Sequence, residues 1–95
     1  MNKYEITLVF KPALEDETLK AEFDKAQALF ERFGGVVEKV DSWGKRRLAY
    51  EIQKVNEGWY YFVTVSGEPS FPRQVEERLR IMESVLRYLI IRLDK

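Results

Sequence analysis

Three consecutive cations, Lys45, Arg46 and Arg47, are the residues of this sequence best suited to hold a ligand. An arginine guanidinium is a planar fork of N–H donors that grips phosphate or carboxylate oxygens through paired bonds. On a nucleic acid, such contacts position a protein without reading bases. Two other readings use the same charges. They can blunt an edge strand against aggregation, or meet acidic groups on another protein. The cations follow Gly44, which permits a bulge or bend, and precede the alternation Leu48, Tyr50, Ile52, which has the two-residue period of a strand. The stretch Trp43–Ile52 is therefore expected to display charge with its first half and to face a core with its second.

Other arrangements carry less chemistry. The chain has no cysteine and no histidine. The first absence removes disulfides and thiolate metal sites, the second the commonest general base and metal ligand. Ser42, Ser66, Ser70 and Ser84 thus have no imidazole to activate them. Glu15, Asp16 and Glu17 read as helix-start residues, and Gly34-Gly35 lacks the lysine and spacing of a phosphate-binding loop. The topology below would suit a small acyl-phosphate hydrolase, but K-P-A-L-E-D after the first strand is no glycine-rich anion cradle. No catalytic residue, metal, cofactor or small-molecule substrate is expected.

The segment Gly58–Val63 invites comparison with the aromatic strand on which RNA-recognition motifs stack bases. Glu57 stands where a cation is expected, Tyr60 where a small residue is, and the first strand offers Thr7 and Val9 instead of an aromatic. Core packing explains Trp59 and Tyr61 equally well.

The elements that must position these groups follow from periodicity. Tyr4–Phe10 alternates as a strand until Lys11-Pro12 ends it. Leu19, Phe23, Ala26, Phe30 and Phe33 mark one stripe of a helix over 16–33, stopped by Gly34-Gly35. A second strand begins at Val36 and runs, with a bulge near Gly44, through Ile52. Val55-Asn56-Glu57-Gly58 reads as a hairpin connection and Trp59–Val65 as the third strand. Ser70 can cap a second helix whose stripe is Phe71, Val75, Leu79 and Met82, with Pro72 in its first turn. Val85–Leu93 is the fourth strand. The order βαββαβ gives an α+β, ferredoxin-like split βαβ fold, with two helices on one face of a four-stranded antiparallel sheet, as a single domain over residues 1–95.

Such a sheet should be polar on its far face unless something covers it. Tyr60 and Phe62 lie opposite Trp59, Tyr61, Val63 and Val65, and Leu89, Ile91 and Leu93 lie opposite Tyr88 and Ile90. Large apolar groups therefore point away from the helices whichever parity is inward. Such a patch suits a partner surface, or cover by loops and the stems of Lys and Arg. Arg87 shares a side with Leu89 and Ile91, Arg92 has the opposite parity, and Arg80 reads as an independent surface cation.

Composition sets the limits. Lys plus Arg equals Asp plus Glu at 16 each, so any anion site must come from local asymmetry. The 45% hydrophobic and 34% charged content excludes a disordered chain. No apolar run approaches the ~20 residues that span a bilayer, and M-N-K-Y-E-I lacks the apolar core of a secretory signal.

Tyr4-Glu5-Ile6, Val37-Glu38-Lys39-Val40, Gly58 with its aromatic strand, Leu79-Arg80-Ile81 and above all the decapeptide W-G-K-R-R-L-A-Y-E-I over 43–52 resemble the bacterial small-subunit ribosomal protein S6 family. The resemblance covers nearly the whole chain and implies the same split βαβ fold. It implies a cytoplasmic role in ribosome assembly, binding the central domain of small-subunit rRNA as a heterodimer with ribosomal protein S18. Its candidate rRNA contacts are Lys3, Lys45, Arg46, Arg47, Lys54, Arg87 and Arg92. Its candidate contacts to the partner protein are Trp43, Arg46, Arg47, Leu48, Tyr60, Phe62, Leu89 and Ile91. Relatives can carry proline where Glu51 stands, and some carry a longer C-terminal tail whose contacts are not carried over to a chain ending at Lys95. The other readings are a free-standing single-stranded RNA binder, a self-associating domain, or an engineered variant of this backbone without its binding.

Overall fold

The computed structural model describes residues 1–93. Its elements are β1 (Asn2–Phe10), α1 (Asp16–Arg32), β2 (Val36–Ile52), β3 (Val55–Gly67), α2 (Phe71–Leu79) and β4 (Val85–Arg92). The strands form one antiparallel sheet in the order β2-β3-β1-β4. This is the expected split βαβ arrangement.

One sheet face and the two helices enclose the core. Tyr4, Ile6, Leu8 and Phe10 of β1 and Val63 and Val65 of β3 meet Leu19, Phe23, Ala26 and Phe30 of α1 and Phe71, Val75 and Leu79 of α2. The helical stripes are thus buried as the sequence predicts, except at their ends: Phe33 is the C-cap of α1 and Met82 lies past the end of α2, and both are only partly buried. Phe23 stacks on Tyr61 at 4.3 Å between ring centroids, which locks α1 onto β3.

The end of α1 shows why Gly34 is needed. Its φ is +81°, and the bonds Gly34 N–H to the Glu31 carbonyl and Gly35 N–H to the Phe30 carbonyl form a Schellman cap. Gly35 then allows a close approach: a Cβ there would lie 2.6 Å from the Phe71 ring.

Three sequence expectations need correction. The β2–β3 hairpin does not turn at Val55–Gly58. It turns at Gln53-Lys54, both at positive φ (51° and 65°), between paired Ile52 and Val55. This is the two-residue hairpin with left-handed central residues, whose twist matches that of its strands. Asn56, Glu57 and Gly58 are already strand. Second, the alternation after the cations does not line the main core. Leu48 is buried, but outside that core, and Tyr50 is 60% exposed. Leu48 and Tyr50 share the parity of Arg46, which pairs with Gly58 on the face away from the helices, so they turn from the main core. Third, Ser70 precedes α2 without a side-chain capping bond. The Phe71 N–H instead reaches the Glu68 carbonyl.

Glu22 ties α1 to the start of β4. It accepts a 2.6 Å bond from the Ser84 hydroxyl and pairs with Lys25 at 3.0 Å. The Ser84 bond first, then Lys25, holds its carboxyl below the usual value of 4.5. A carboxylate with a depressed folded pKa stabilises the fold above its unfolded pKa, and that contribution is lost as pH falls through the folded value. Urea denaturation of Glu22→Gln should therefore show lower stability than the parent at pH 7. The difference should shrink steadily below about pH 4.5. A constant difference across that range would remove Glu22 from the acid limb.

Candidate functional site

The site is built on β2, and a bulge at Trp43 shapes it. The pairing of β2 with β3 slips between Ser42 and Gly44, so Trp43 is the extra residue; Gly44, at φ +76°, takes the left-handed conformation that this bulge requires. Beyond the bulge Lys45 pairs with Trp59, Arg46 with Gly58 and Arg47 with Glu57. Paired residues of neighbouring strands share a face. Trp59 packs against the core on the helix side. Lys45 and Arg47 therefore point to the helix side of the hairpin and Arg46 to the open side. The Lys45 ammonium lies 5.0 Å from the Trp59 ring centroid. The three cations do not form one cluster. Trp59 Nε1, beneath Lys45, is buried with no partner among the described residues, and nothing in the structure explains it.

On the open side an aromatic cluster gathers around Phe62. Trp43 meets it edge-on at 4.9 Å and Tyr60 lies at 6.3 Å. The Arg46 guanidinium covers the Trp43 ring at 5.4 Å, while its Nε–H donates to the Trp43 carbonyl at 3.0 Å. Across the sheet the rows continue as Tyr60, Val9, Arg87 and as Phe62, Thr7, Leu89. Leu89 and Ile91 are each 44% exposed and Trp43 53%. This is the apolar far face that the strand parities predict.

The open face is not flat. The Arg87 guanidinium lies 5.9 Å from the Tyr50 ring, although β4 and β2 are opposite edges of the sheet. Three inter-strand steps span roughly 14 Å, which the two long side chains bridge over β3 and β1, and the burial of Leu48 and Val9 beneath them is consistent with the hairpin end curling over this face. Pairing agrees: between Arg47 and Ile52 four residues of β2 face only Asn56. Under this curl Val9, on the open face, is 1% exposed and Leu48 is 7% exposed. Gly58 makes room, since a Cβ there would collide with Val9. Sequence reasoning missed Tyr50 as an open-face residue. Its signal was the parity it shares with Arg46 and Leu48.

The remaining candidates are dispersed. Lys54 sits in the hairpin turn. Lys3 lies on the open face at the opposite end of the sheet and pairs with Glu38 at 3.3 Å. Glu38, the extra residue of a second β2 bulge, also accepts a short bond from the Ser66 hydroxyl. Arg92 pairs with Tyr4 and so points to the helix side. From the pair Lys3 and Ser66 to the pair Arg46 and Gly58 is eight residues along β3, roughly 26 Å. Lys3 and Arg92 are therefore not brought to the β2 cations. Arg80 is held on the helix side by Glu76 at 3.8 Å and by the Tyr88 hydroxyl, which raises its pKa.

Among the described residues no cluster of acidic side chains is arranged to hold a metal ion, and no helix is long and apolar enough to cross a membrane.

The family model described as ribosomal protein S6 matches residues 3–92. The chain belongs to the ribosomal protein S6 family. Similar relatives named small ribosomal subunit protein bS6 come from Clostridium kluyveri and Alkaliphilus oremlandii, each 43% identical over 95 residues and covering all of both chains. A crystal structure of 30S ribosomal protein S6 from Thermotoga maritima superposes with a TM-score of 0.90 at 25% identity, covering 96% of this chain and 86% of that one. As a member of this family the chain is a small-subunit ribosomal protein and not an enzyme.

Proposed function

We propose that this chain acts in small-subunit assembly by docking ribosomal protein S18 on its open sheet face while cations of β2 neutralise phosphates of the rRNA central domain. The observation that carries this reading is the aromatic cluster of Trp43, Tyr60 and Phe62 with Arg46 on a face that no helix covers. Aromatic residues and arginine are the types that dominate protein interfaces. A chain of zero net charge gains little from bulk attraction to RNA. A second protein that completes the RNA-binding surface supplies what it lacks.

RNA titration at two salt concentrations, with and without S18, tests this. Binding to a central-domain fragment should require both proteins and weaken as salt rises. Arg46→Ala with Arg47→Ala should lower complex formation and reduce the salt slope by about 1, because fewer counterions are released. An unchanged slope would remove the phosphate role. Tight binding by this chain alone would favour the single-stranded RNA module, in which Tyr60 and Phe62 stack bases.

A further inference from the structure

The geometry points to a division of labour across the two sides of β2. We propose that Arg46 belongs to the protein-docking face, whereas Lys45 and Arg47 form a separate phosphate-contacting flank. This rests on the assembly reading above and assigns its residues.

Alternation around Gly44 is the origin. Arg46 shares the open face with Trp43 and Tyr60, and its neighbours in sequence point the other way. Docking a protein on the open face would cover Arg46 and leave Lys45 and Arg47 in solvent at the outer edge of the sheet. β2 is that edge, paired on one side only.

The local chemistry of the cations agrees. Arg46 is already constrained, with one N–H on the Trp43 carbonyl and its plane over the indole. An arginine so held loses little further freedom on burial, and its remaining donors can meet a carbonyl or carboxylate of the partner. Lys45 and Arg47 are exposed, and among the described residues neither has a carboxylate within 4.0 Å. Glu57, directly opposite Arg47, is the acid nearest this flank in the pairing. It tempers the local potential without forming an ion pair. Solvent-facing cations with no carboxylate partner among the described residues, Lys45 with its ammonium over the Trp59 ring, suit phosphates, which need charge and proximity more than fixed geometry. A contiguous run in sequence is thus two sites in space.

Two measurements separate the sites: the affinity of this chain for S18 without RNA, and the salt slope of the heterodimer on the central-domain fragment. Lys45→Ala with Arg47→Ala should change the S18 affinity by less than threefold and lower the salt slope by about 1–2. Arg46→Ala should weaken S18 binding by about tenfold or more. For the preformed heterodimer, it should leave the salt slope within about 0.5 of the parent. Equal losses of S18 affinity in the two variants would overturn the division. So would an unchanged slope in the Lys45/Arg47 variant. A parent protein that binds neither S18 nor the RNA pair would overturn the assembly reading itself, a result visible before any variant is made.

Discussion

Phe71→Ala is expected to cost about 3–5 kcal/mol of folding stability, lowering the melting temperature by roughly 12 °C or more for a domain of this size. Phe71 is fully buried at the start of α2, stacked 5.9 Å from Tyr4 and edge-on to Phe30 at 6.3 Å. It joins α2 to β1 and α1 at once. Two glycines are shaped to it. A Cβ at Gly35 would lie 2.6 Å from the ring, and one at Gly67 would have only Phe71 atoms as its nearest neighbours, the closest at 2.9 Å. The surrounding backbone therefore cannot collapse into the space without moving two strands. The same geometry predicts coupling. Gly67→Ala should cost about 1–3 kcal/mol in the parent and clearly less in a Phe71→Ala background, where the Cγ and Cδ1 atoms that a Cβ at 67 would meet have gone. Urea melts of the four proteins give the cycle. A Phe71→Ala loss under about 1.5 kcal/mol, or additive costs in the cycle, would deny Phe71 this central place.

Most of the fold was legible because apolar spacing decides it. Ile6, Leu8, Phe23 and Phe30 lie inward as their periods require, and the Gly34 cap follows from glycine's access to positive φ. The hairpin turn was misplaced because its chemistry contradicts its geometry. Gln53 and Lys54 adopt positive φ without the usual Asn-Gly signal, whereas Asn56 and Gly58 carry a turn composition inside a strand. Gly58 is there for a different reason, the close approach of Val9. The candidate site was half legible. Its residue types and the Gly44 bulge could be read, and so could the parity that puts Tyr60 and Phe62 on the far face. The split of the three cations could not, because it depends on where the bulge resets the register. Nor could the approach of Tyr50 to Arg87: parity with Arg46 gives the side on which Tyr50 lies, but not that four residues of β2 face one of β3 there.

Phe62→Ala should weaken S18 binding by about 2–4 kcal/mol, roughly 30- to 700-fold. Its ring is the hub of the open-face cluster, in contact range of both Trp43 and Tyr60. Removing it loses its own burial and also leaves Trp43 without the edge-on neighbour that orients it beneath Arg46. The folding cost should be much smaller, about 1–2 kcal/mol, because Phe62 is only half-buried and outside the main core. No charge is lost, so the salt slope of the heterodimer on RNA should match the parent even as its assembly fails. Isothermal titration with S18, paired with a urea melt, reads both quantities. A change below threefold in affinity would take the docking site away from this cluster. Loss of RNA binding by the isolated chain would instead assign Phe62 to base stacking, because only a nucleobase would then need the ring in the absence of a protein partner.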